Sequence, residues 1–172
     1  MWAFDEHRLG LKPVLRRRWA PRGRRPVAVG RHRYEWLYLY GFVHPSAGEV
    51  VWFVRTGVDT ELLSAVLAVF AEQVGAGDGK LVILALDNAG WHVSGDLIIP
   101  PGIELMFLPP YTPELQPAEH LWPLVDEAVV NKHFATLDAL DATIAARCRH
   151  LDAATIKPHS DFHWWPRPIA PN

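Results

Sequence analysis

The chain has 172 residues, 49% of them apolar and 21% charged, with a formal net charge of −2. That length suits one ordinary domain with a full core, and the composition excludes a disordered chain. A lone Cys148 excludes an internal disulfide framework. The longest wholly aliphatic run, residues 81–86, falls far short of the ~20 residues that cross a bilayer. The first residues have neither the basic start nor the apolar stretch of a signal peptide. A soluble cytoplasmic protein with no membrane contact is expected.

Residues 1–5 read as a short strand with Asp5 at its end. The net charge hides a basic block that follows. Arg8, Lys12, Arg16, Arg17, Arg18, Arg22, Arg24, Arg25, Arg31 and Arg33 lie between His7 and Tyr34 with no acid among them. Such a concentration is the mark of a polyanion surface, nucleic acid above all; the plain alternative is a solvated arm. Trp19, Pro21 and Gly23 interrupt the run and favour an ordered loop in contact with phosphates. Its turn residues, 20–23, lie between two apolar patches, Val14-Leu15 and Val27-Ala28-Val29, a pattern that suits a hairpin or an extended arm.

Residues 34–43 and 50–54 are aromatic and aliphatic, and Pro45-Ser46-Ala47-Gly48 between them predicts a hairpin. Residues 60–74 have helical periodicity, with Asp59 or Thr60 as N-cap and Gly75 and Gly77 ending the helix. Residues 81–86 lack polar alternation and read as a buried central strand leading into Asp87. A short helix over 93–99 and a strand over 103–108 follow. A proline-rich loop, 109–113, leads to a helix opened by Pro117 with Leu121, Leu124, Val125, Ala128 and Val129 as its stripe, and a second helix spans 137–149. Residues 151–172 read as an irregular tail that covers its own core or reaches a neighbour through Trp164 and Trp165. The order is that of an α/β domain with a mixed sheet.

Three acids stand where such a sheet presents chemistry. Asp5 and Asp87 are placed at strand ends, where open α/β sheets form ligand sites, and Glu119 is in the first turn of the later helix. Taken singly, each has an ordinary explanation as a cap, a turn former or a dipole partner. Together, beside a basic surface, three carboxylates point to a phosphodiester enzyme using hard divalent cations.

The sequences around them carry a family resemblance. Leu86-Asp87-Asn88-Ala89-Gly90-Trp91-His92 and Leu108-Pro109-Pro110-Tyr111-Thr112-Pro113-Glu114-Leu115-Gln116-Pro117-Ala118-Glu119-His120-Leu121-Trp122 resemble the DDE catalytic core of IS630/Tc1/mariner transposases. Phe4-Asp5-Glu6-His7-Arg8-Leu9-Gly10-Leu11 is similar to that family's first-aspartate strand. The resemblance covers residues 1–150. It implies an RNase H-like (retroviral-integrase-like) fold with a five-stranded mixed sheet and a catalytic, metal-binding triad of Asp5, Asp87 and Glu119. It further implies two Mg²⁺ or Mn²⁺ ions and DNA, both transposon ends and target, as substrate. Gln116 and Ala118 depart mildly from the pattern. Full-length relatives carry N-terminal helix-turn-helix domains, so a catalytic half lacking that region is expected.

Arg16, Arg17, Arg18, Arg22, Arg24 and Arg25 are the expected phosphate contacts. Asn88 and His92 are candidates to support the metal site from behind, although a histidine there is more commonly a plain surface or core residue. Asn131 is read as a turn former, Trp122 as core packing, and His120 is left out of the metal site. His159 and His163 are four apart, but no third ligand stands at zinc spacing. No phosphate-binding glycine loop and no serine-hydrolase elbow occurs, so no nucleotide cofactor is expected. A second copy of the chain is a candidate partner. The competing expectation is an inactive truncated copy that binds DNA or a partner subunit without catalysis.

Overall fold

The structure is a computed structural model that describes residues 1–17, 19–24, 33–77 and 79–167. Five strands, β1 (Trp2–Gly10), β2 (Trp36–His44), β3 (Glu49–Arg55), β4 (Val82–Leu86) and β5 (Ile103–Phe107), form one sheet in the order β3-β2-β1-β4-β5. β1 to β3 pair antiparallel, whereas β1–β4 and β4–β5 pair parallel. The mixed sheet expected from the sequence is therefore the one that forms.

One face is covered by α1 (Thr60–Val74). The Asp59 carboxylate accepts from the Leu62 N–H, and Gly75, at φ 65°, closes the helix in a left-handed conformation. Leu63, Val66, Leu67, Phe70 and Ala71 are buried against Trp2, Phe4, Tyr40, Phe42 and Leu84. Phe42 stacks between Phe4 at 4.3 Å and Phe70 at 4.1 Å. Each side chain so buried contributes about 1.5–3 kcal/mol. The other face, with Ala3, Leu9, Leu37, Leu39 and Ala85, is covered by α2 (Trp122–Asp126), α3 (Leu137–His150) and α4 (Ala153–Ser160).

Four sequence expectations need correction. β1 does not stop at Asp5, because its antiparallel pairing with β2 continues to Gly10↔Trp36. The single helix opened by Pro117 is instead a 3₁₀ turn, Glu119–Leu121, followed by the short α2. Pro123 has no N–H to return to Glu119, so the ladder must restart there. Residues 93–99 form turns, with Ser94 bonding back to the Asp96 N–H and the Ser64 hydroxyl accepting from the Ile98 N–H. The tail is irregular only in part: Asp152 caps α4 through the Thr155 N–H, residues 161–167 form turns and coil, and Ile156 and Trp165 are buried in the same core as α3.

Among the described residues the arm after β1 contains no strand. Its Val14 carbonyl accepts from the Asn131 N–H at 2.8 Å, and the Asn131 side chain accepts from the Arg16 N–H at 3.2 Å. Residues 20–24 form the expected turn, with Gly23 at φ 84° and the Arg24 N–H bonded to the Pro21 carbonyl. Val27, Ala28 and Val29, the other half of the expected hairpin, lie outside the described residues. No described helix is long and apolar enough to cross a membrane.

Candidate active site

The sheet register places the two aspartates. Ala3 of β1 is paired with Ala85 of the parallel neighbour β4. Asp5 and Asp87 thus each lie two residues beyond one common rung. Alternation along β1 sends Ala3, Asp5, His7 and Leu9 to the face of α2 and α3, and Phe4 and Glu6 to the face of α1.

Asp5 is held from that first face. Trp122 Nε1 donates to Asp5 Oδ2 at 2.8 Å, and the Trp122 ring stacks on His7 at 5.0 Å. Trp122 is therefore core packing, as expected, and also the donor that orients a carboxylate. The room for its ring comes from Gly41, the residue opposite Asp5 on β2. A Cβ there would meet the Trp122 ring at 2.9 Å and the Trp52 ring at 3.0 Å. Gly41→Ala is expected to destabilise the fold by about 1–3 kcal/mol, as read by thermal melting; an unchanged melt would show that the two rings have slack.

Asp87 leaves the end of β4 with its side chain 58% exposed. Its Oδ1 accepts from the Ala89 N–H at 3.0 Å and from His92 Nδ1 at 2.7 Å. His92 is 1% exposed, and its Nε2 lies 3.0 Å from Glu6 Oε1, which also accepts from Trp91 Nε1 at 3.1 Å. Facing an acid oxygen on each side, both ring nitrogens serve as donors. Asn88 Nδ2 donates to the Leu108 carbonyl at 2.7 Å, tying the exit of β4 to that of β5. Of the two candidates to support the site, His92 thus bonds the Asp87 carboxylate, and Asn88 bonds backbone at the cavity that it lines.

Glu119 is brought in by a latch that the sequence did not disclose. Buried Gln116 donates from Nε2 to the Phe4 carbonyl at 2.9 Å and accepts the Ala118 N–H at 3.3 Å. The 3₁₀ turn carrying Glu119 is so fastened to the β1 backbone one residue before Asp5. Sequence reading treated Gln116 as a mild departure; its one signal was a long amide between two prolines beside the acid. Asp87, Asn88, Gln116, Glu119 and the loop 108–113 line a cavity of about 410 Å³, and Asp5 is not part of that lining. In the loop, Tyr111 is exposed at φ 61°, a backbone state that costs a non-glycine residue about 1–3 kcal/mol. His120 packs edge-on against Phe162.

The electrostatics follow the geometry. Burial pushes the Asp5 carboxyl up to about 7, against the Trp122 bond and with help from the charges of Glu6 and Glu119. Asp87 is held below the usual carboxylate range, first by its bond to His92. Glu119 is raised by desolvation and then by the charges of Asp87 and Glu114. For His92, burial would lower the pKa, but the bonds to Asp87 and Glu6 carry it up to about 9.

The donor chemistry fits hard cations. Among the described residues, Asp87 Oδ2, both Glu119 oxygens and Asp5 Oδ1 have no side-chain hydrogen-bond donor. Carboxylate oxygens are the ligands that Mg²⁺ and Mn²⁺ prefer, with few protein donors per ion. Also among the described residues, no three His, Cys, Asp or Glu side chains are close enough together to chelate an ion. The three acids are electrostatic neighbours rather than a closed set.

Of the expected DNA contacts, Arg16, Arg17, Arg22 and Arg24 are exposed, while Arg18 and Arg25 lie outside the described residues. Arg16 reaches Asp126 at 3.3 Å, and Asp126 also bonds His7 at 2.8 Å.

A five-stranded mixed sheet of this order, flanked by helices, is the RNase H-like fold. Its likeness extends to solved proteins. The Mos1 transposase paired-end complex with left transposon end superposes with a TM-score of 0.69 at 15% identity, covering 93% of this chain and 51% of that one. The Mos1 mariner paired end complex with Mn gives 0.68 at 15% identity, with 93% and 51% covered. The chain thus spans about half the length of these structures. A protein of Sinorhizobium fredii (strain NBRC 101917 / NGR234), uncharacterized protein y4pE/y4sA, is 40% identical over 104 residues, 60% of this chain and 76% of that protein. Residues 1–141 match the family described as DDE superfamily endonuclease. The chain belongs to that family of enzymes.

Proposed function

We propose that this chain is the catalytic part of an IS630-type transposase, cleaving DNA at transposon ends and transferring the freed strand to a target. The observation that carries this reading is the register. Two aspartates lie equally far beyond one rung of adjacent parallel strands, and a buried glutamine latches the turn of Glu119 to the strand of the first. Asp5, Asp87 and Glu119 would hold two Mg²⁺ or Mn²⁺ ions through their free oxygens. Bound there, such ions lower the pKa of an attacking water and offset charge on the leaving oxygen of a phosphodiester.

The protein's own share is positioning. Trp122 and Gly41 set Asp5, His92 and Ala89 set Asp87, and Gln116 sets the turn of Glu119. Arg16, Arg17, Arg18, Arg22, Arg24 and Arg25 form the proposed phosphate grip, whose affinity would fall steeply with salt. We place its work in the cytoplasm, on the nucleoid, with DNA and a second copy of the chain as partners.

Crystals soaked in MnCl₂ provide the test. Anomalous density against Asp5 and Asp87 is the expected result, and manganese touching none of the three acids would overturn the reading. Salt-sensitive DNA binding with no metal-dependent product would mark the chain as a non-catalytic binder instead.

A further inference from the structure

We propose that Glu6 and His92 are a buried positioning pair whose task is to fix the Asp87 carboxylate for cation binding; the inference rests on the reading of Asp87 as a ligand. Asp87 stands beyond the end of β4, largely exposed, where a carboxylate is otherwise free to turn. Both donors that restrain it, His92 Nδ1 and the Ala89 N–H, engage the same oxygen, Oδ1. The restraint therefore fixes the side chain and leaves Oδ2 without a donor among the described residues.

The histidine is itself held from the far side. Glu6 Oε1 takes the second ring nitrogen at 3.0 Å and the Trp91 N–H at 3.1 Å, and the Glu6 side chain is only 5% exposed. The Phe4 ring packs against the imidazole at 5.5 Å. With both nitrogens engaged, the ring cannot rotate toward one partner without releasing the other. A carboxylate and a histidine placed behind a ligand in this way act on metal affinity through orientation, by about 10–100-fold. A histidine buried only to satisfy the core would act on stability alone.

The two accounts separate in Mn²⁺ binding by the full chain, followed through the electron paramagnetic resonance signal of free Mn²⁺ alongside circular dichroism. His92→Phe keeps the ring and removes both donors. It is expected to weaken Mn²⁺ binding by about 10–100-fold while the chain stays folded. His92→Asn, whose amide donates from a place close to Nδ1, is expected to recover part of the loss. If His92→Phe fails to fold, His92→Phe with Glu6→Gln replaces it, since that pair leaves no buried carboxylate without its cation and Gln retains an acceptor for Trp91. Folded variants that bind Mn²⁺ like the wild type overturn the proposal. A wild-type chain that binds no Mn²⁺ removes Asp87 as a ligand altogether, a result distinct from wild-type binding that the variants leave unchanged.

Discussion

Asp87→Asn is expected to lower metal-dependent DNA cleavage by about 10²–10³-fold or more while DNA affinity stays within about twofold of the wild type. The replacement is isosteric. Its amide oxygen still accepts from the Ala89 N–H and from His92, so the loop after β4 has no reason to move. At the proposed metal site the loss is one anionic ligand oxygen, the quantity on which hard-cation binding depends. The proposed phosphate grip lies elsewhere, on arginines such as Arg17, Arg22 and Arg24, which are exposed. Nicking of supercoiled plasmid in Mn²⁺ and fluorescence anisotropy with a labelled duplex measure the two properties separately. Nicking retained by the variant would remove Asp87 from the chemistry.

Asp5→Asn has a less obvious outcome: the metal-free protein should become more stable at pH 8 as it loses activity. The Asp5 carboxyl is raised to about 7 by burial, whereas in the unfolded chain it titrates near its ordinary value of about 3.9. Between those values the folded state holds a proton that the unfolded state has released. Its contribution to stability is present below the unfolded value and is lost as pH rises through 7. At pH 8 the ionised, part-buried group costs about 3–4 kcal/mol relative to the acid end. Asparagine does not ionise, and its oxygen still accepts from Trp122 Nε1.

Thermal melts in EDTA should therefore fall for the wild type from pH 5 to 8 and stay flatter for the variant, with a gap of roughly 5–10 °C at pH 8. His92, raised to about 9, has the same sign at higher pH, so both proteins should decline from pH 7 to 9. MnCl₂ at pH 8 should raise the wild-type melt and leave the variant nearly unmoved. Parallel pH curves without metal would show that Asp5 is not desolvated in solution.

The sequence made the repetitive parts of this molecule legible and left the long-range contacts hidden. The helix over 60–74 was readable because its apolar spacing, cap and terminal glycine agree on one answer. The strands of β2 to β5 were readable because β-branched and aromatic runs end at turn residues. Asp5, Asp87 and Glu119 stood out through their motifs, yet what holds them did not. Gln116 to the Phe4 carbonyl, Trp122 to Asp5 and His92 to Glu6 are bonds between residues about 85 to 120 positions apart. No local pattern announces such pairs. The misread helix after Pro117 had a local cause that was visible, since Pro123 interrupts a stripe whose apolar spacing was otherwise sound. The helix α4 was missed within the tail because the tail's prolines and tryptophans outweighed the Asp152 cap.

The alternation of side chains along β1 bears on how this protein can vary. Asp5 serves the layer of Trp122 and Glu6 the layer of His92, and they are consecutive residues. Deleting or inserting one residue earlier in β1 would reverse the parity of the strand. The acid meant for each layer would then face the other, and both carboxylate supports would fail together. Between residues 19 and 24, by contrast, the chain is exposed and, among the described residues, bonds only within its own turn. Length changes between homologous chains should therefore accumulate in the basic arm and be absent from the ten residues before it.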